Sequence, residues 1–275
     1  MIRLKEKKMT TIQQYNDYGE TLEKSLILRT SPIAVKMIEK ESDIPKGAIR
    51  PKRDRGYHLA QCQAFAMTRR QGTTIAMLKE DNWCWAPLIG YGLVKTFDED
   101  TFSYNIFMVS DMAAARRVMQ NFPRLEYEKF IGIVSAPLKT ANFLPDLVLI
   151  YCNPAQLRSM LMATKYREGF LVTSQFDPID SCVYSVVPVI SNGKYRITLP
   201  DPGEYERAMA GEDEIILSVP RDKMEELISG LKHFEQRKLG YTDLAMQITP
   251  DFHRPDFYRQ LFKMWGLDIE DDSRR

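Results

Sequence analysis

The chain has 275 residues, of which 44% are hydrophobic, 27% charged and 11% aromatic. That length suits one large domain or two smaller ones with a substantial core, and the composition excludes wholesale disorder. Lys and Arg number 38 against 37 Asp and Glu, a formal net charge of +1, so the basic excess that phosphate neutralisation demands is missing and a nucleic-acid partner is not expected.

Met1 to Lys8 is basic but runs into the polar stretch Met9-Thr10-Thr11-Ile12-Gln13-Gln14, which is not a secretory signal. Ile12, Tyr15, Leu22 and Leu26 predict a helix over 12–28 packed on one face. Ser31-Pro32 ends it, and Ile33 to Ile38 reads as a strand interrupted by Lys36. Residues 39–56 form a loop rich in Lys, Arg, Pro and Gly. A helix is expected at 57–70, stopped by Gly72, then a strand Thr73–Met77, then a turn Asp81–Pro87 entering a short helix at 87–94. A strand near 104–109 and a helix near 111–120 follow.

Ile131–Val134 and Leu147–Tyr151 read as strands, the second of the fully buried kind. Asn153 then stands as an N-cap with Pro154 at the first helical position, Lys165 and Arg167 in the last turn and Gly169 at the stop. Cys182–Val189 and Tyr195–Leu199 around Ser191-Asn192-Gly193 read as a hairpin, and Glu214–Val219 as another strand. Met224, Leu227, Ile228 and Leu231 mark an amphipathic helix. The expected fold class is α/β or α+β, a mixed sheet flanked by helices over residues 1–235. Residues 236–275, with Phe257, Tyr258, Leu261, Phe262, Met264 and Trp265 on a short helix, form a helical extension covering a site or building a homo-oligomer.

The longest apolar run, Leu147 to Cys152, stops far short of the ~18 residues that span a membrane, so no membrane contact and a cytoplasmic location are expected. Four cysteines, at 62, 84, 152 and 182, are too few and scattered for a disulfide scaffold and stay thiols or become ligands. Three of them fall at element ends, which suggests an iron–sulfur cluster or metal site; as buried small hydrophobes they need no ligand. No C-x-x-C pair, G-x-G-x-x-G, Walker loop, H-E-x-x-H or G-x-S-x-G occurs. Cys84 precedes a helix whose dipole would lower its pKa, and His58, four residues before Cys62, is expected on the same helix face. With zinc as the occupant, Cys62, Cys84, Cys182 and His58 would supply three thiolates and one imidazole.

The turn at Cys152-Asn153-Pro154 ends a strand at a helix start, where free amides hold an anion, and Asn153 is a candidate for that role. Lys36 is either an edge lysine with its stem buried or a group pointing into a site. The basic loop Lys46, Arg50, Lys52, Arg53, Arg55 is a solvated face or recruits an anionic substrate. Trp83 and Trp85 form an aromatic wall or pack in the core.

An ordered series of segments resembles the DUF169 family of uncharacterised bacterial and archaeal proteins. It runs Pro32-Ile33-Ala34-Val35-Lys36, Cys62-Gln63-Ala64, Arg69-Arg70-Gln71-Gly72, Glu80-Asp81-Asn82-Trp83-Cys84 and Gly90-Tyr91-Gly92. Val148 to Gln156, Gly169, Ser181-Cys182 and Asp213-Glu214 complete it, over roughly residues 15–235. The resemblance implies cysteine at the positions of Cys62, Cys84 and Cys182 and variation at Cys152. Family members often carry a further cysteine before a glycine where this chain reads Leu199-Pro200-Asp201-Pro202-Gly203, and an Asp-His where it has Asp81-Asn82. It thus points to a [4Fe-4S] cluster on Cys62, Cys84 and Cys182 with one iron open as a Lewis acid, or closed by Cys152 for electron transfer. Lys36, His58, Arg70 and Asn153 would then bind a small anionic metabolite, in an iron–sulfur lyase, hydratase or oxidoreductase of anaerobic metabolism; a metal-free binding or accessory module is the alternative.

Overall fold

Thr11 opens the first helix, α1 (Ile12–Leu26), its hydroxyl accepting from the Gln14 N–H, and Tyr15, Tyr18, Leu22 and Leu26 form its buried stripe. The computed structural model describes residues 11–96, 109–241 and 256–266. The next elements are β1 (Ile33–Ile38), α2 (Pro51–Arg55), α3 (Gln61–Gln71), β2 (Ile75–Leu78) and α4 (Trp85–Gly90). Then come α5 (Met112–Asn121), β3 (Gly132–Pro137), β4 (Leu147–Cys152) and α6 (Pro154–Glu168). They are followed by α7 (Ser181–Tyr184), α8 (Val187–Asn192), β5 (Arg196–Thr198), α9 (Pro202–Arg207), β6 (Ile215–Pro220) and α10 (Met224–Gln236). The chain divides into two compact units, residues 1–241 and 242–275; of the second, the helix α11 (Asp256–Met264) is described.

The six strands form one sheet in the order β2-β3-β1-β4-β6-β5, so the class is α+β with helices flanking the sheet. Its ladders are all antiparallel. Side chains alternate between its two faces. Ala34, Ile38, Val148, Ile150 and Cys152 join α1, α6 and α10 in one core; Ile33, Val35, Met37, Leu147, Leu149 and Tyr151 join α3, α4, α7 and α8 in the other.

The capped helix after β4 is built as its sequence reads. Asn153 Oδ1 accepts from the Gln156 N–H, the Gln156 side chain accepts from the Asn153 N–H, and Gly169 ends the helix at a φ of 70°. The expected hairpin at 182–199 is corrected. Cys182–Val189 lies within α7 and α8, two short buried helices, and Gly193, at a φ of 66°, terminates α8 instead of turning a hairpin. Only Arg196–Thr198 of that region is a strand. The strand expected near 104–109 falls on residues of which all but Val109 lie outside the described set. No described helix is long and apolar enough to cross a membrane.

Candidate functional site

Three elements far apart in sequence deliver cysteines to one region of the sheet's second face. Cys62 lies in the first turn of α3, Cys84 is the residue before α4, and Cys182 is the second residue of α7. Gly90 permits the approach of α4 to α7, since a Cβ there would stand 2.5 Å from Val183 Cγ1. The Tyr91 hydroxyl donates to the Cys182 carbonyl at 2.8 Å. The Trp83 N–H donates to the Leu59 carbonyl at 3.2 Å and ties the Cys84 segment to the entry of α3. Cys62 packs with Ala60, Ala66 and Ala208, and Cys84 sits against the same small cluster.

Burial governs the thiols. It pushes Cys62 up to about 12, aided by the negative charge of Glu204 and Asp201 and opposed by the guanidinium of Arg207. Cys182 is raised well above the usual thiol range by burial, and Cys62 and Cys84 each raise it further, so both lie within its electrostatic reach. Cys84 is raised as well, chiefly by burial. The lowered pKa expected at this helix start is therefore corrected: desolvation outweighs the hydrogen bond from the Ala86 N–H. Unligated, these thiols stay neutral, and a soft metal that takes their protons would ionise them.

A buried polar network adjoins them. Glu204 accepts from the Tyr151 hydroxyl at 3.0 Å and from the Ser181 hydroxyl at 2.6 Å. Asp201, the cap of α9, accepts from the Ser181 N–H at 2.8 Å and from the Glu204 N–H at 2.9 Å. Desolvation lifts Glu204 to about 7. Asp180, only partly buried and in the left-handed region at a φ of 57°, is likewise lifted to about 7, by burial and then by Asp201 and Asp177. Arg207 is held charged by Cys62, Cys84 and Asp201 against the cost of its own burial, and lies 5.1 Å over the Trp83 ring. Gly203 leaves room for that side chain, because a Cβ there would meet Arg207 Nη2 at 2.2 Å. Below the network, Arg69 and Glu214 form a buried two-point ion pair at 2.8 and 2.9 Å, with Arg69 stacked 3.9 Å over the Tyr151 ring.

The other sequence candidates are distributed differently. Cys152 lies on the opposite face from Tyr151, in the first core, its thiol donating to the Ile215 carbonyl at 3.4 Å. His58 is exposed in the loop before α3, so it shares no helix face with Cys62. Arg70 borders the polar network, donating to the Met209 carbonyl and 3.8 Å from Glu214. Asn153 spends its side-chain oxygen on the cap of α6. Lys36 is on β1, an interior strand, one residue beyond the end of its ladder with β4, and lines a cleft elsewhere. In the basic loop, Arg50 is 3% exposed and pairs with Asp81 at 2.6 Å, which anchors the loop instead of presenting charge; Arg53 pairs with Asp54.

Sequence reasoning missed Tyr151, Asp180, Asp201, Glu204 and Arg207. The string Asp201-Pro202, a cap followed by proline at the first helical position, was the available signal for α9. Among the described residues no three His, Cys, Asp or Glu side chains stand close enough to hold a single metal ion. A four-iron cluster places each thiolate on a different iron, so its ligands are spread more widely than those of one ion.

The model of the DUF169 family, described as "Uncharacterised ArCR, COG2043", matches residues 21–230. An uncharacterised protein of Methanocaldococcus jannaschii is 20% identical over 230 residues, covering 82% of this chain and 97% of its own. No solved structure matches.

Proposed function

The chain belongs to the DUF169 family, and we propose that Cys62, Cys84 and Cys182 hold a [4Fe-4S] cluster at which a small anionic metabolite is transformed. One observation carries this reading: three thiols from three distant elements gather in one region, Cys182 feeling both Cys62 and Cys84, beside the half-buried guanidinium of Arg207. The donor set is the soft one such clusters take. Gln61, next to Cys62, is 1% exposed, with neither its side-chain nitrogen nor its oxygen partnered, and Arg207 Nε is likewise unpartnered. Buried polar atoms of that kind call for a missing partner. The position of Cys152 on the other face favours three protein ligands over four.

A cluster bound in that way supplies an open iron, a Lewis acid for a hydroxyl or carbonyl oxygen. The chain's own residues do the rest. Arg207 offsets the negative charge gathered around Cys62 and is placed to take a carboxylate. Asp180, partly accessible and two residues before Cys182, is placed to serve as proton donor or acceptor. Glu204, held by Ser181 and Tyr151, fixes α9 and with it Arg207. The reaction class this suits is addition or removal of water, and the setting it needs is a reducing one, the cytoplasm of an anaerobic cell. Self-association we assign to α11, whose Phe257, Tyr258, Phe262 and Trp265 rings touch in series; deleting 250–275 should then reduce the oligomer in gel filtration.

Anaerobic purification with iron and sulfide assay tests the cluster. The whole chain should bind about four irons and absorb in the visible, and Ser at position 62, 84 or 182 should remove both. Colourless, iron-free protein after reconstitution would overturn the reading and leave the thiols as core residues of a metal-free binding module.

A further inference from the structure

β1 outruns β4, and the fork this opens is a cavity. The β1–β4 ladder ends at Val35 paired with Leu147, whereas β1 continues along β3 to Ile38. Asp146 closes the end of the ladder: its N–H donates to the Val35 carbonyl at 2.7 Å and its Oδ2 accepts from the Met37 N–H at 2.9 Å. Beyond it lies a cleft of about 680 Å³, within the ~300–1,000 Å³ usual for small-molecule sites.

Met37, Phe130, Leu144, Val189, Ile190 and Pro220 give the cleft an apolar wall. One charge pair belongs to the architecture, since Arg221 donates to Asp146 at 2.7 Å. Lys36 lies within electrostatic reach of the same Asp146, and Lys129 lies 5.4 Å over the Phe130 ring. Lys36 and Lys129 on one side of the charge balance, and Glu39, Asp43 and Asp222 on the other, form no ion pair among the described residues. Lys36 is the informative one. It stands half-buried at the mouth of the fork, one residue beyond the last β1–β4 pair.

From these features we infer that the fork is a second ligand site, separate from the thiols, for a small zwitterion with an apolar body, of the kind of a free apolar α-amino acid. A ligand of one sign would meet one set of these charges and be opposed by the other, whereas a zwitterion meets both. The site is distinct because β4 carries Asp146 before one end and Tyr151, the neighbour of the thiol region, near the other. Five residue steps at ~3.3 Å make that about 17 Å.

Isothermal titration of the full chain with L-leucine and L-methionine tests the inference, with succinate and 1,4-diaminobutane as single-sign probes. Binding of the amino acids is expected, weaker by about tenfold in Lys36→Gln, as loss of one charge-assisted contact entails, and unchanged in Cys62→Ser. Lys129→Gln, at an exposed position, gives the same reading should Lys36→Gln fail to fold. Absence of amino-acid binding, equal affinity in the lysine variants, or equal binding of either single-sign probe would overturn it. Loss of iron in Cys62→Ser with this binding retained separates the two sites.

Discussion

Tyr151 and Cys152 are neighbours in β4 and serve opposite sides of the sheet. The tyrosine hydroxyl reaches Glu204 at 3.0 Å beneath the thiol region, while the cysteine thiol bonds to Ile215 in the other core. A single peptide bond thus separates a residue of the candidate site from one packed in the opposite core.

Replacing Cys152 by Ala is therefore expected to lower the melting temperature by a few degrees, about 1 kcal/mol, and to leave bound iron intact. Ser at 62, 84 or 182 should instead remove iron. Parallel thermal melts and iron assays decide it; iron lost from the Cys152 variant would contradict the assignment.

The Arg69–Glu214 pair is fully enclosed. Glu214→Gln leaves the guanidinium charge uncompensated and should cost about 3–5 kcal/mol in urea unfolding. The double change Arg69→Met with Glu214→Leu removes both charges, and much of that loss should be recovered.

Glu204 fixes the sign of one pH dependence. Burial lifts it from its usual 4.5 to about 7, so between those values the folded chain holds a proton that the unfolded chain has released. The stabilisation is complete below the lower value and is lost as pH rises through the upper one. Stability should fall with rising pH across that interval, and Glu204→Gln should flatten the slope. Denaturant midpoints at a series of pH values measure both; Asp180, shifted in the same direction, adds to the effect.

Gly90→Ala would press a methyl group against Val183. A loss of about 1–3 kcal/mol is expected from overpacking, with weaker iron retention as α4 moves off α7. Adding Val183→Ala should restore both, a coupling readable in a double-mutant cycle.

The sequence was legible where local chemistry and tertiary packing agree. β1 has the bounds read for it, and Asn153, Pro154 and Gly169 do what their residue types favour. It was misread where a segment is buried on all sides. Cys182–Val189 has Ser185 as its single polar position, too little to set a period, so its β-branched residues suggested a strand although tertiary packing holds two helical turns. Gly193 gave no help, since a helix stop and a hairpin turn both use glycine at positive φ. For the site, residue types exposed the thiols but not their company. Asp201 and Glu204 look like the opening of any solvated helix, and their burial follows from contacts with Tyr151 and Ser181 that only the folded chain makes.

The strand order also governs how the molecule can be made. Ile33 waits for Pro137 and Leu149, and Ile75, bridged locally to Ile49, waits for Ser135, before either strand joins a ladder. During synthesis the described residues 11–96 therefore leave the ribosome with β1 and β2 both lacking the strand that lies between them. Such long-range closure makes for slow folding and for a nascent chain that benefits from a chaperone until β3 emerges.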